Sequence, residues 1–282
     1  MTVHALIPVF NRLTMTQTII HQLHCQNLDE DLTITVIDDG STDGTAEYLA
    51  EEHHVSTLKG DGNLWWGGAI AMGLSHVLPM AKGNDWVMFV NNDTEIRPDF
   101  VQRLLDAARL HAPAAVGCVV REIMPPHSLI SVGPRVDPWR FAVKDVGERH
   151  QSADGMVAVD ALSGRGVLYP VAALKAVGGM RSHWLPHYLS DYELSLRVGA
   201  QGWRLLIAAD AAVYSKKEFG SSYLPKSLYE KLFSVRSPNY LPAQVAFWWQ
   251  ASGLVGRVTF PIRLVFHFIK RQSRWRGFLD QC

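Results

Sequence analysis

Cysteine is scarce, net charge is absent and long apolar runs are missing, and each shortage closes off a class of protein. The cysteines are three, Cys25, Cys118 and Cys282. They are odd in number and scattered, without metal-type spacing, which argues against a disulfide framework or a zinc site and fits a reducing cytoplasm. Lys+Arg and Asp+Glu balance at 27 each, so no global field draws the chain to nucleic acid. No uncharged apolar run reaches the roughly 18 residues of a membrane span. The nearest, Leu241 to Gly256, is short and carries Gln244 and Gln250. The N-terminal stretch MTVHALIPVFNR has no basic region followed by an apolar core and a small-residue cleavage site, so no signal peptide is expected. Glycine-rich phosphate loops are missing too: no G-x-G-x-x-G follows the first apolar run, which argues against a dinucleotide oxidoreductase.

What is present is a globular composition, 48% hydrophobic and 19% charged, in which two local signals alternate. Short β-rich runs occur at His4–Val9, Thr33–Ile37, Val55–Leu58, Trp86–Val90 and Ala115–Val120. Helix-like stretches separate them, at Thr14–Cys25, Thr45–Glu52, Gly68–Met80 and Pro98–His111. Strand alternating with helix predicts an α/β fold with a mostly parallel central sheet flanked by helices. A ligand crevice is expected at the carboxyl ends of such strands. The polar clusters PVFNR, DDGSTDGT, GDGN and NNDTE fall there. Further on, residues 121–160 read as loops and short strands, Val157–Leu162 as a strand, VAALKAV as a helix, and Ser190–Gln201 as another.

Three acidic motifs carry candidate chemistry. Asp38 and Asp39 end a strand before Gly40; they are ordinary turn residues, yet they could equally accept hydrogen bonds from a base or ribose. Asn91, Asn92 and Asp93 also end a strand, and these hard oxygen donors suit Mg²⁺ or Mn²⁺ carrying a diphosphate. With one carboxylate, metal and diphosphate should bind together. In SDYELSLR, Ser190 and Glu193 have the spacing of a capping box. That places Asp191 at the first helical position, where the helix dipole favours the ionised form that a general base needs. Trp65 and Trp66 suit the apolar side of a sugar ring or base, with Gly67 and Gly68 permitting close approach; core packing of one of them is the alternative.

The ordered set IPVFNR, VIDDGSTDG, GNLWWGGAIAMGL, FVNND, SGRGVLYP, VGGM and SDYELSLR closely resembles the inverting glycosyltransferases of family 2, of bacterial surface-polysaccharide type, across about residues 3 to 220. The resemblance implies a GT-A fold over residues 1–225, with a nucleotide-binding half at 1–120 and an acceptor and catalytic-base half at 121–225. It implies that Pro8, Phe10, Asn11 and Arg12 border the nucleotide, that Asp39 reads the base, and that Asp38 lies near the ribose. Asn63 and Gly67 fall in the segment covering nucleotide and sugar. Asn91, Asn92 and Asp93 stand where the family's DxD motif holds its metal, with Asp93 the main ligand and Asn91 beside it. Asp191 matches the catalytic base, and Gly164 and Arg165 shape the acceptor side.

One departure concerns a histidine that the family often uses as a further metal ligand. Here Ser215 stands near that place, beside Lys216 and Lys217, and a lysine can neutralise phosphate directly. Metal dependence is therefore expected to be weaker than usual. His183 and His187 are nearby loop histidines for which a structural role is the first expectation.

Residues 226–282 form a basic-aromatic helical extension, with eight Lys/Arg and no Asp or Glu between Lys231 and Leu279. If Pro261 opens a helix, Arg263, His267, Lys270 and Arg274 share one face beside Ile262, Val265, Phe266 and Ile269. This arrangement suits an anionic membrane surface, contacted through residues 257–276; docking on the enzyme body or another subunit are the alternatives. The expected partners are a nucleoside-diphosphate sugar and a glycan or lipid-linked glycan acceptor, with self-association left open. The expected location is the cytoplasm, on the inner face of the plasma membrane where the contact forms. Two rival functions share the fold. A sugar nucleotidyltransferase would want a glycine-bearing phosphate loop, and PVFNRLT has none. A non-catalytic carbohydrate-binding protein is the other alternative, against which an intact Asp39, Asp93 and Asp191 weigh lightly.

Overall fold

The computed structural model describes residues 1–147, 154–216 and 223–279. The strands are β1 Thr2–Val9, β2 Asp31–Asp38, β3 Val55–Lys59, β4 Trp86–Phe89, β5 Glu95–Ile96, β6 Ala114–Glu122, β7 Leu129–Ser131, β8 Pro134–Asp137, β9 Ala142–Asp145, β10 Met156–Ala158, β11 Val167–Pro170 and β12 Arg204–Ser215. The helices are α1 Leu13–His24, α2 Thr45–Glu51, α3 Trp65–Val77, α4 Phe100–Leu110, α5 Val171–Val177, α6 Ser190–Ala200, α7 Leu228–Phe233, α8 Leu241–Ala251 and α9 Leu254–Leu279.

The main sheet has the order β10-β12-β6-β11-β4-β1-β2-β3, with β5 on β12 and β7 on β6; β8 and β9 form a separate hairpin. Strands β3, β2, β1, β4, β6 and β12 all run in one direction, and β11 is inserted antiparallel between β4 and β6. Sequence makes the central strands suitable for this position. Val3, Ala5, Leu6 and Ile7 of β1 and all of β4 are buried, the near-continuous apolar run expected of a sheet covered on both faces. One covering layer is α1, α2 and α4. In α1, Thr16, Ile19, Ile20 and Leu23 are buried at helical spacing, so one stripe meets the sheet. The other layer is α3, α5 and α6, packed through Ile70, Leu74, Leu174, Leu194 and Val198.

The inverted β11 matters for function. Its amino end lies at the same edge as the carboxyl ends of β4 and β6, because Val167 pairs with Phe89 and Gly117. The segment Gly164-Arg165 is thereby delivered next to Asn91-Asn92-Asp93. Gly166 completes the entry at φ +106°, where a side chain would be strained and would meet Cys118, Val213 and Phe100 within 3 Å.

Four expectations are corrected. Helix α3 starts at Trp65, so both tryptophans sit in its first turn. The strand expected at Val157–Leu162 is shorter, Met156–Ala158. Leu189 caps α6 in a left-handed conformation without a side-chain cap, so Ser190 and Glu193 form no capping box, and Asp191 is the second helical residue. Ser190 instead donates to the His187 carbonyl, and Glu193 pairs bidentately with Arg197 at 2.8 Å in the interior. A buried guanidinium at i+4 out-competes a backbone N–H for that carboxylate. Finally, Pro261 does not open a helix; it lies inside α9, which begins at Leu254.

The C-terminal segment packs on the body through Phe141, Leu185, Ala243, Phe247, Trp248 and Phe260. Phe247 is fully buried, and truncating such a residue typically costs about 3–5 kcal/mol.

Candidate active site

A cavity of about 1200 Å³ opens along the carboxyl edge of the sheet. The chain turns outward there after β1, β2, β4 and β12, and the entry to β11 joins them. The cavity is lined by Pro8, Phe10, Asn11, Arg12, Asp39, Asn63, Trp65, Trp66, Asn91, Asn92, Asp93, Gly164, Arg165, Asp191 and Lys216. Residues far apart in sequence and singled out for separate reasons therefore share one concave surface. Asp38 and Gly67 do not line it.

Asp38 is buried, and its Oδ1 accepts from Ser41 N at 3.0 Å and Ser41 Oγ at 2.5 Å. It shapes the turn after β2 and is set back from the cavity lining. Gly67 donates its N–H to the Pro186 carbonyl at 2.7 Å, and a Cβ there would meet Leu185 O at 2.5 Å. It is the close contact between α3 and the loop preceding α6. Asp39 lines the cavity while each of its oxygens holds backbone: Oδ1 accepts from Gly62 N at 2.9 Å and Oδ2 from Trp65 N at 3.0 Å. A carboxylate oxygen has a second lone pair, so Asp39 fixes the 60–65 loop and retains acceptor capacity.

Asp191 is held in the same way. Its Oδ2 accepts from Gly164 N and its Oδ1 from Tyr192 N, both at 2.9 Å. The first turn of α6 is pinned to the sheet through Ser195, whose Oγ donates to Asp191 O at 2.7 Å and meets Tyr169 Oη at 2.9 Å. Desolvation raises the Asp191 pKa, outweighing the two backbone hydrogen bonds and the Arg165 charge that lower it. A raised carboxyl pKa makes a stronger base.

Arg165 lies between the two acidic motifs. Burial pulls its pKa down, opposed first by Asp93 and then by Asp191. On the far side Arg12 donates to Asp93 Oδ2 at 2.6 Å. Asn91 Oδ1 accepts from Trp66 Nε1 at 2.8 Å, and Asn92 donates to Thr16 Oγ1 at 3.1 Å. These two amides brace the walls. Lys216 lines the cavity, and Ser215 Oγ donates to the Asp93 carbonyl at 3.3 Å. Lys217 lies outside the described residues.

Backbone strain concentrates here. Six non-glycine residues among those described have positive φ, and four of them, Asn11, Arg12, Trp65 and Leu189, line the cavity. Each such residue costs on the order of 1–3 kcal/mol, which the surrounding packing must hold in place.

Several wall residues carry no signal in the sequence, among them Tyr188, Tyr192 and Arg236. Arg236, between α7 and α8, places its guanidinium 5.9 Å from the Trp65 ring, and His187 packs on that ring at 5.4 Å. Burial drives the His187 pKa down to about 4, leaving a neutral ring. His183 instead packs on Trp184 and does not line the cavity.

The geometry has counterparts among known proteins. The sequence profile of Glycosyl transferase family 2 matches residues 5–145, half of the chain. The chain belongs to glycosyltransferase family 2. Within the family, this glycosyltransferase is 28% identical to an N-acetylglucosaminyl-diphospho-decaprenol L-rhamnosyltransferase of Mycobacterium tuberculosis, over 87% of each chain. Among solved structures, GalNAc-T7 with UDP, GalNAc and Mn²⁺ aligns at a TM-score of 0.62 and 15% identity, covering 81% of this chain and 45% of that one. TarS 1-349 of S. aureus with UDP aligns at 0.56 and 16%, covering 77% and 60%. The glycosyltransferase thus has a GT-A-like fold and spans about half the length of these structural neighbours.

For a divalent cation, this glycosyltransferase offers few donors. Among the described residues no group of three or more His, Cys, Asp or Glu is placed to hold a metal. Asp93 supplies one carboxylate, and Asn91 has its oxygen engaged by Trp66. Such a donor set fits a cation that takes most of its oxygens from a diphosphate.

Proposed function

We propose that the protein transfers a sugar from a nucleoside-diphosphate sugar to a hydroxyl of a lipid-linked glycan in surface-polysaccharide synthesis, inverting the anomeric configuration. The observation that carries this reading is the convergence of Asp93 and Asp191 on one cavity with Arg165 between them. The mycobacterial relative's name describes rhamnosyl transfer onto a diphosphate-linked lipid, which supports a deoxyhexosyl or hexosyl donor and a lipid-linked acceptor here.

In this mechanism the nucleotide lies against the Pro8–Arg12 loop, Asp39 and Asn63, and the sugar lies toward Trp65 and Trp66. Asp191 accepts the proton of the acceptor hydroxyl as that oxygen attacks the anomeric carbon and the bond to the diphosphate breaks. Asp93 would hold Mg²⁺ or Mn²⁺, with support from the second lone pair of the Asn91 oxygen that Trp66 engages; when bound, the metal supplies positive charge to the departing diphosphate. Arg12, Arg165 and Lys216 provide fixed positive charge on the same surface.

The test has two arms. Thermal-shift titration with UDP, dTDP and GDP sugars, with and without Mn²⁺, should raise the melting temperature for one nucleotide class, because a ligand of the native state stabilises it. NMR of the product should then show the inverted anomer. A retained anomer, or stabilisation by no nucleotide sugar, would overturn the proposal.

A further inference from the structure

The outward face of α9 is apolar, and the basic face expected from the sequence is partly turned inward. Arg263 donates to Pro138 O and to Gly256 O, each at 2.7 Å, and its guanidinium lies 4.6 Å from the Trp139 ring centre. His267 packs on Phe141 at 5.1 Å. With Phe260 buried beside them, these contacts fix the rotation of the helix. The side chains of Ile269, Lys270 and Arg274 lie outside the described residues.

Fixing that rotation leaves Leu254, Val255, Val258, Ile262, Val265 and Phe266 outward, between 58% and 82% exposed. At 100° per residue they occupy one arc about a third of the circumference wide. Trp249, half-exposed, has Arg257 stacked at 5.6 Å from its ring. Single exposed apolar residues need no explanation, but a continuous stripe of six on one helix does.

We infer that this stripe is a membrane-docking face, which inserts shallowly into an anionic lipid surface and presents the cavity to acceptors held there. Charge complementarity selects the occupant. From Lys231 to Leu279 the sequence has eight Lys/Arg and no Asp or Glu; Arg236 is on the cavity wall and Arg263 turns inward, and the positive bias of the rest of the segment attracts anionic headgroups. A Trp–Arg pair at the edge of an apolar stripe suits the headgroup boundary, where an aromatic ring can be part apolar and part wet. The same segment supplies Arg236 and Pro238 to the cavity wall, so docking and acceptor entry share one piece of chain. No helix among the described residues is long and apolar enough to cross a membrane. The inference rests on the lipid-linked acceptor proposed above.

Flotation of the full chain tests it, with vesicles of phosphatidylcholine alone or mixed with phosphatidylglycerol. The wild type should float with vesicles, and more strongly with the anionic ones. The double variant Val258→Glu/Ile262→Glu should reduce partitioning by at least about ten-fold, since two aliphatic side chains lose their burial in lipid. The control Leu110→Glu, at an equally exposed position on α4, should float like wild type. Far-ultraviolet circular dichroism checks that the double variant is folded. Wild type that stays in the soluble fraction, or a double variant that floats unchanged, overturns the inference. So does a wild-type dimer in analytical ultracentrifugation that the double variant converts to monomer, which would make the stripe an interface between copies. Flotation requires no turnover, so failure of the proposed transfer reaction is detected separately, by absence of nucleoside diphosphate release.

Discussion

Arg12 donates to Asp93 Oδ2 at 2.6 Å, so the carboxylate proposed to hold a metal already has a cation beside it. Both side chains are more than a third exposed, and an exposed pair of this kind contributes about 0–1 kcal/mol. That is weak enough for a metal diphosphate to displace, freeing Arg12 for phosphate. Arg12→Ala should therefore raise Mn²⁺ affinity a few-fold without nucleotide while lowering nucleoside diphosphate affinity about ten-fold. Electron paramagnetic resonance of Mn²⁺ and calorimetry of nucleotide binding read the two separately. Unchanged values in both would show that the pair is incidental.

Asp191 should set the acid side of the pH–rate profile. Burial raises its pKa, and only the ionised form accepts the acceptor's proton. The rate should therefore fall as pH drops through a value above about 3.9, the ordinary aspartate pKa. The linkage sign is opposite to that of a salt-bridged carboxylate: native protein holds this proton more tightly than unfolded chain, so stability declines as pH rises between the two values. Asp191→Asn should reduce kcat about 10²- to 10⁴-fold with nucleoside diphosphate binding intact. Near-normal turnover in that variant would remove Asp191 from the role.

Much of this was legible because strand ends announce themselves. An apolar run that stops at Asp-Asp-Gly or Asn-Asn-Asp can hardly do anything else, and the two runs end at Asp38 and Phe89 in the structure. The polar groups that follow were harder to assign. Asp38 and Asp39 are adjacent and identical in type, yet one is consumed by Ser41 and the other lines the cavity; only the path of the 60–65 loop separates them. Glu193 has the spacing of a capping residue, but a buried arginine one turn on gives it a better partner. Arg236 was out of reach. Its place beside Trp65 depends on α8 packing on Phe141 and Leu185, a contact between segments with no shared pattern. Pro261 misled for a related reason, since its neighbours hold α9 together across a residue that usually begins helices.

Gly164 offers a steric test of the wall proposed to face the sugar. A Cβ on it would lie 2.0 Å from Trp66 Cζ2 and 2.4 Å from Cη2, an overlap that a rigid indole cannot relieve locally. Gly164→Ala should displace Trp66, break its hydrogen bond to Asn91 and move the backbone N–H that holds Asp191. Overpacking of this kind costs about 1–3 kcal/mol, so the variant should fold with a lowered melting temperature. Its kcat should fall much further than its stability. Trp66→Ala removes the wall without pushing Asp191, and should raise the donor KM with a smaller loss of kcat. Equal losses of kcat in the two variants would separate Gly164 from the positioning of the base.

His187 makes a prediction about acid stability that requires no substrate. Its ring is packed between Trp65 and Tyr188, and Nδ1 is buried without a hydrogen-bond partner among the described residues. Desolvation depresses its pKa to about 4 from an ordinary 6.5. Between these values unfolded chain binds a proton that native protein refuses, so stability rises with pH across the window and is lost as pH falls through it. A shift of this size corresponds to a difference on the order of 3 kcal/mol between the two ends. His187→Phe keeps a ring against Trp65 and Tyr188 but has nothing to protonate. Urea unfolding at pH 7 and pH 4.5 should show a smaller acid loss in the variant than in wild type, and the contributions of other groups cancel in that comparison. If wild type and variant lose the same stability over this interval, His187 is not held neutral by its surroundings.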